Sequence, residues 1–119
     1  MKIYELIECE LDENNFTKNE KRVMFFDSIE HIFSYLTKDG RTGDTLSIVG
    51  HSDDSEEHIK DCMLSSNATI KVHTPSFERI VGYFSDPYDT YYFVRTHNVR
   101  CYGFFKEWFV TKLNKTKQN

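Results

Sequence analysis

Tyr91-Tyr92-Phe93-Val94-Arg95-Thr96-His97-Asn98-Val99-Arg100-Cys101-Tyr102-Gly103-Phe104-Phe105 is the stretch whose reading decides the fold. Aromatic and β-branched residues dominate it, and Thr96-His97-Asn98 interrupts it with turn-forming types, so it reads as a hairpin. A two-residue turn at His97-Asn98 sets Arg95 opposite Arg100, Phe93 opposite Tyr102 and Tyr91 opposite Phe104. Side chains alternate across a strand, so those six share one face, while Val94, Cys101 and Phe105 form the other, a core face. Two arginines directly across a ladder repel each other. This pairing therefore calls for an anion: a carboxylate of the same chain, an acid from a partner, or a phosphate.

Working upstream, residues 79–84 read as another strand, joined to the hairpin by a turn over residues 85–89 (Ser85-Asp86-Pro87-Tyr88-Asp89). Residues 69–73 are a strand with Ile70 and Val72 inward and Lys71 and His73 outward. A helix is expected over residues 55–65, with Glu56 and Glu57 in its first turn, where acids complement the helix dipole, and Ile59, Cys62 and Met63 on its buried face. Residues 45–49 are a strand with Leu46 and Ile48 inward. Over residues 28–36, Ile29, Ile32, Phe33 and Leu36 keep the apolar stripe of an amphipathic helix; Asp27 and Glu30 suggest a capping box at its start. Residues 22–26 are a short strand, and residues 3–11 are another, with Ile3, Ile7, Cys9 and Leu11 on one face. Glu5 breaks that alternation. Residues 12–21 are polar except for Phe16 and read as a loose connection.

Downstream, Phe104, Phe105, Trp108, Phe109 and Leu113 fit a helical stripe and also an aromatic strand; a short terminal helix is favoured, because a second apolar face on a strand needs covering. Residues 114–119 read as a flexible tail. The resulting order implies an α+β fold: one domain over residues 1–119, with a mostly antiparallel sheet of five to seven strands and two or three helices mainly on one face.

A chain of 119 residues fits a single domain that folds without disulfides or a structural metal. Cys9, Cys62 and Cys101 are far apart and form no CxxC pair, the pattern of reduced thiols in a cytoplasmic protein. Met1-Lys2 leads directly to Glu5, Glu8 and Glu10, unlike a signal peptide, and no apolar run approaches a membrane span. Residues 1–66 hold 15 acids and 7 bases, and residues 67–119 hold 4 acids and 8 bases. An acidic half thus meets a basic, aromatic half, which either neutralise each other in the fold or create an anion-binding surface. Ala68 is the only alanine, and Lys, Asn, Ile, Tyr and Phe are plentiful. That bias suits an AT-rich coding genome such as those of many phages and mobile elements, in which case the site of action is the host cytoplasm.

The densest run of ligand-type residues is His51-Ser52-Asp53-Asp54-Ser55-Glu56-Glu57-His58, followed by Asp61-Cys62. Asp54, His58 and Asp61 share a helix face, and His51 and Asp53 can join them from the loop; His51, Asp54, His58 and Asp61 are the candidate metal ligands. The spacing matches no HExxH or EF-hand pattern, and the acids already serve the helix start. His73-Thr74-Pro75-Ser76 lacks the repeated H-x-T/S element of histidine phosphoesterases. No G-x-S-x-G elbow or glycine-rich phosphate loop is present. No cofactor is implied.

The candidate binding surface is therefore Tyr91, Phe93, Arg95, Arg100, Tyr102 and Phe104, with Trp108 beside them. Aromatic rings and arginines on a sheet are suited to a protein interface, where both are enriched, or to stacking bases and holding phosphates. The acidic net charge of −4 works against long-range attraction to nucleic acid. The reading favoured is a small non-catalytic accessory or inhibitory protein that binds a protein partner, with a homodimer a related option. Nucleotide or single-stranded nucleic-acid binding is the alternative, and a metal-dependent phosphoesterase or nuclease on the residue 51–61 cluster is the third.

Overall fold

The computed structural model describes residues 1–37, 45–65, 68–74, 88–100 and 106–115. Their order is β1 (Lys2–Leu11), β2 (Thr17–Phe26), α1 (Ile29–Thr37), β3 (Thr45–Ile48), α2 (Glu56–Met63), β4 (Ile70–Thr74), β5 (Tyr88–Asn98) and α3 (Lys106–Lys115). The strands form one five-stranded sheet in the order β2-β1-β5-β4-β3, antiparallel throughout. The chain is thus an α+β protein with three described helices, as its pattern implies. The expected strand over residues 79–84 and residues 101–105 of the second hairpin strand, Tyr102 and Phe104 among them, lie outside the described residues.

Two local expectations are corrected. The first is the turn at His97-Asn98. β5 runs straight through it: Ile3 pairs with His97 and Lys2 with Asn98. The ladder continues past the strand end, where the Val99 amide donates to Met1 O (2.9 Å) and the Met1 amine donates to Val99 O (3.0 Å). Turn-forming residues yield here to backbone partners supplied from the other end of the chain. Tyr88 and Asp89 likewise belong to β5, not to a turn.

The second is the polar connection over residues 12–21, of which Thr17 onward is strand. Asp12 organises the reversal: its Oδ1 accepts from the amides of Asn14 (2.8 Å) and Phe16 (2.9 Å). Its backbone also pairs with Phe16 and Asn15, and Asn15 takes a left-handed φ of 65°. A short turn closed by a left-handed Asn is a familiar hairpin connection. The exposed β2 residues have no apolar alternation, so nothing in composition marks them as strand.

Helix α1 buries Ile29, Ile32 and Leu36, the stripe expected of it. Its cap is Ser28, whose Oγ accepts from the His31 amide (3.2 Å), while Asp27 engages the His31 ring instead of forming a capping box with Glu30. That pairing raises the His31 pKa, the Asp27 hydrogen bond being the main cause. Helix α2 starts at Ser55, which accepts from the His58 amide, and buries Ile59 and Met63. Both helices cover the sheet face that carries Leu6, Ile48, Ile70, Val72 and Val94, and these residues form one core.

On α3 the buried residue is Val110 and Phe109 and Leu113 are half-buried, while Trp108, expected on the same stripe, is exposed. Asn114 fastens this helix to β2: the Phe25 amide donates to Asn114 Oδ1 (2.7 Å), and Asn114 Nδ2 donates to Phe25 O (2.9 Å).

Candidate functional site

The sheet face opposite α1 and α2 begins with β1. Ile3, Glu5, Ile7 and Cys9 alternate onto it, and all four are buried. Glu5 is therefore in phase with the strand, not a break in its alternation. A carboxylate only 4% exposed needs partners, and it has them. Arg22 Nε donates to Glu5 Oε2 at 2.5 Å, and His97 Nε2 donates to Oε1 at 2.8 Å. Arg95 lies directly across the ladder, with Nη1 at 3.8 Å from Oε1, and its Nη2 is 3.6 Å from Glu20 Oε1.

Two features of the chain place these groups. Position 95 faces position 5 because β1 and β5 pair in regular antiparallel register. Arg22 arrives through a bulge: Leu6 pairs with Met24, but Ile7 pairs with Arg22, so Val23 is skipped. Val23 packs against the helix-side core, and Arg22 takes the place on the opposite face that regular pairing would give to Val23. Stacking holds the cluster together, with the Arg22 guanidinium 4.9 Å from the Phe25 ring centroid, Arg95 5.6 Å from that of Phe93, and the Phe25 and His97 rings 6.0 Å apart.

Burial pushes the Glu5 pKa up, but the hydrogen bonds and charges of Arg22 and His97 outweigh it, so the carboxyl is held below its ordinary value of 4.5. Cys9, two places beyond Ile7, is pushed up to about 11 by burial, with Glu20 and Glu8 adding to the effect. Cys9 is thus an inert thiol.

Arg95 thus faces carboxylates of the same chain, Glu5 and Glu20, and not a second arginine. The expected cross-strand neighbour, Arg100, is instead an exposed residue beyond the end of β5. Tyr91 and Phe93 share the Arg95 face and are half-buried, opposite Cys9 and Ile7. A groove beside Arg95 and Phe93 is completed by Ala68 and by Phe16, Thr17 and Glu20 of the hairpin. Phe16 is 69% exposed. Trp108 lies on α3, where the Lys112 ammonium sits 4.7 Å from its ring centroid. His73 and His97 are not free surface groups, since His73 Nδ1 bonds Asp89 Oδ1 (2.7 Å) and His97 bonds Glu5.

The four candidate metal ligands do not converge. Asp54 lines a cleft with Phe33, Thr37 and Leu46, and Asp61 lines another with Tyr4, Asp27 and Lys106. His51 and His58 do meet, and the third member of their group is Cys62, which the helical pattern assigned to the apolar stripe. Cys62 is half-buried, with Sγ turned to the His58 ring. Glu5, Arg22 and His97 were not expected as a cluster; the only mark in the sequence is an acid inside an apolar alternation.

The chain matches no family model, no curated protein and no solved structure. No described helix is long and apolar enough to cross a membrane.

Proposed function

We propose that this protein is a non-catalytic binding module that docks a protein partner in the groove between the β1–β2 turn and the Phe93 and Arg95 side chains of β5. An accessory or inhibitory role suits such a module. The observation that supports it is the neutralisation of Arg95 within the chain by Glu5 and Glu20. Glu5 and Glu20 balance Arg22 and Arg95 in charge, so the face offers a polyanion little attraction. It does offer an exposed phenylalanine, a half-buried one and a stacked arginine, residue types favoured in protein interfaces.

Two measurements test this reading. Fluorescence anisotropy with labelled single-stranded RNA and DNA, at about 50 and 200 mM salt, is expected to show no saturable binding. Affinity enrichment with the wild-type chain and with Phe16→Ala/Phe93→Ala is expected to yield a polypeptide that the wild type retains and the variant loses. Micromolar strand binding that weakens steeply with salt, or an identical set of captured proteins for both baits, would sink the proposal.

A further inference from the structure

The connection from β3 to α2 brings three lone-pair donors to one point. A turn closed by the His51 amide on Ile48 O (3.0 Å) has Gly50 at its third position with φ 86°, the conformation a type II turn demands there. That turn delivers His51 beside α2. One helical turn separates His58 and Cys62, so their side chains lie on the same face. His58 Nε2 is 3.4 Å from His51 Nδ1 and 3.3 Å from Cys62 Sγ, and all three atoms lie within 4.8 Å of one another.

Hydrogen bonding alone accounts poorly for this arrangement. An imidazole nitrogen has one in-plane position, either a proton or a lone pair, and His58 Nε2 faces two partners. A cation at the shared point accepts one lone pair from each atom. Ligand bonds of about 2.0–2.1 Å to nitrogen and 2.3 Å to sulfur place tetrahedral ligand atoms roughly 3.3–3.6 Å apart. The nitrogen–nitrogen separation of 3.4 Å matches such a pair, and the nitrogen–sulfur separation of 3.3 Å is shorter than the roughly 3.5 Å of a tetrahedral N–S pair by a margin a small ring rotation removes.

We propose that His51 Nδ1, His58 Nε2 and Cys62 Sγ form a Zn2+ site with its fourth position open to solvent. The donor set selects the metal: two imidazoles and a thiolate suit Zn2+, while Mg2+ and Ca2+ take oxygen ligands. On binding, the Cys62 thiol gives its proton to solvent and the sulfur bonds the metal as thiolate. Asp53 stands nearby, with Oδ2 4.0 Å from His58 Nδ1, beyond hydrogen-bond distance, and Oδ1 held by the Ser55 amide (2.9 Å). The metal ties the β3–α2 connection to α2, a site apart from the proposed docking groove and independent of it.

Co2+ titration of the full chain under reducing conditions tests the proposal. One equivalent is expected to give a thiolate-to-cobalt charge-transfer band and the intense ligand-field absorption of a tetrahedral ion, both removed by Zn2+. Cys62→Ser abolishes the charge-transfer band and Cys101→Ser keeps it. His51→Ala, at an exposed position, leaves too few ligands and abolishes binding without loss of fold. Excess Zn2+ raises the Tm of the wild type but not of His51→Ala, and Mg2+ leaves both unchanged. Absence of the bands in folded wild-type protein, or their survival in Cys62→Ser, overturns the site.

Discussion

Glu5 shows how one residue can organise a face. Its carboxylate accepts from Arg22 and His97 and faces Arg95, so removing it strands one guanidinium and one imidazole. Glu5→Ala is expected to cost about 2 kcal/mol in urea unfolding at pH 7, below the roughly 3–5 of a fully buried pair, because Arg22 and Arg95 are half in water. The pH dependence has a definite sign. A carboxyl held below its ordinary value of 4.5 stabilises the fold above that pH and loses its contribution as pH falls through the lower folded value. The gap between wild type and Glu5→Ala should therefore close on acidification below about 4.5; a constant gap would contradict the assignment. None of this was legible locally, because Arg22 and His97 stand 17 and 92 positions away. Of the dense run from His51 to Asp61, the meeting of His51 and His58 was legible, while Asp54 and Asp61, grouped with them in the sequence, line other clefts. Cys62 was not legible, since a cysteine on an apolar stripe looks like a core residue until the loop brings His51 to it.

Elements differed in legibility for the same reason. Both α1 and α2 write their burial into a stripe of neighbouring turns, and Ile29, Ile32, Leu36, Ile59 and Met63 are buried where that stripe puts them. The cap of α2 is equally local. Ser55→Ala should destabilise the protein by about 1 kcal/mol in chemical denaturation, and Ser55→Asp should retain the cap; equal losses for the two would remove the capping account. Strands are harder. β5 keeps one alternation through Arg95, Thr96 and His97, and nothing in that run says whether the chain reverses or continues. β2 was half missed because its outer residues are polar on both sides. Val23, skipped in the ladder, exchanges faces with Arg22, and no sequence pattern marks such a bulge.

At the scale of the molecule, the sheet is closed by its two most distant strands. β1 lies between β2 and β5, so the centre of the fold waits for Lys2 to find Asn98. Contacts of that separation carry a large closure cost before they return any stability. Refolding by stopped-flow dilution from urea is accordingly expected on the millisecond-to-second scale, and a microsecond phase accounting for the whole signal would contradict this topology. The class of the fold was readable from the sum of its elements; the order of its strands was not, because neighbours in a sheet need not be neighbours in the chain. One late contact carries a consequence for life in a crowded solution. Strand β2 is one of the two outer strands of the sheet, and the Asn114 amide occupies the outward N–H and C=O of Phe25 as a further strand would. A single side chain thus denies that position on β2 to strands of other copies, and its loss would leave one more backbone N–H and C=O open to them.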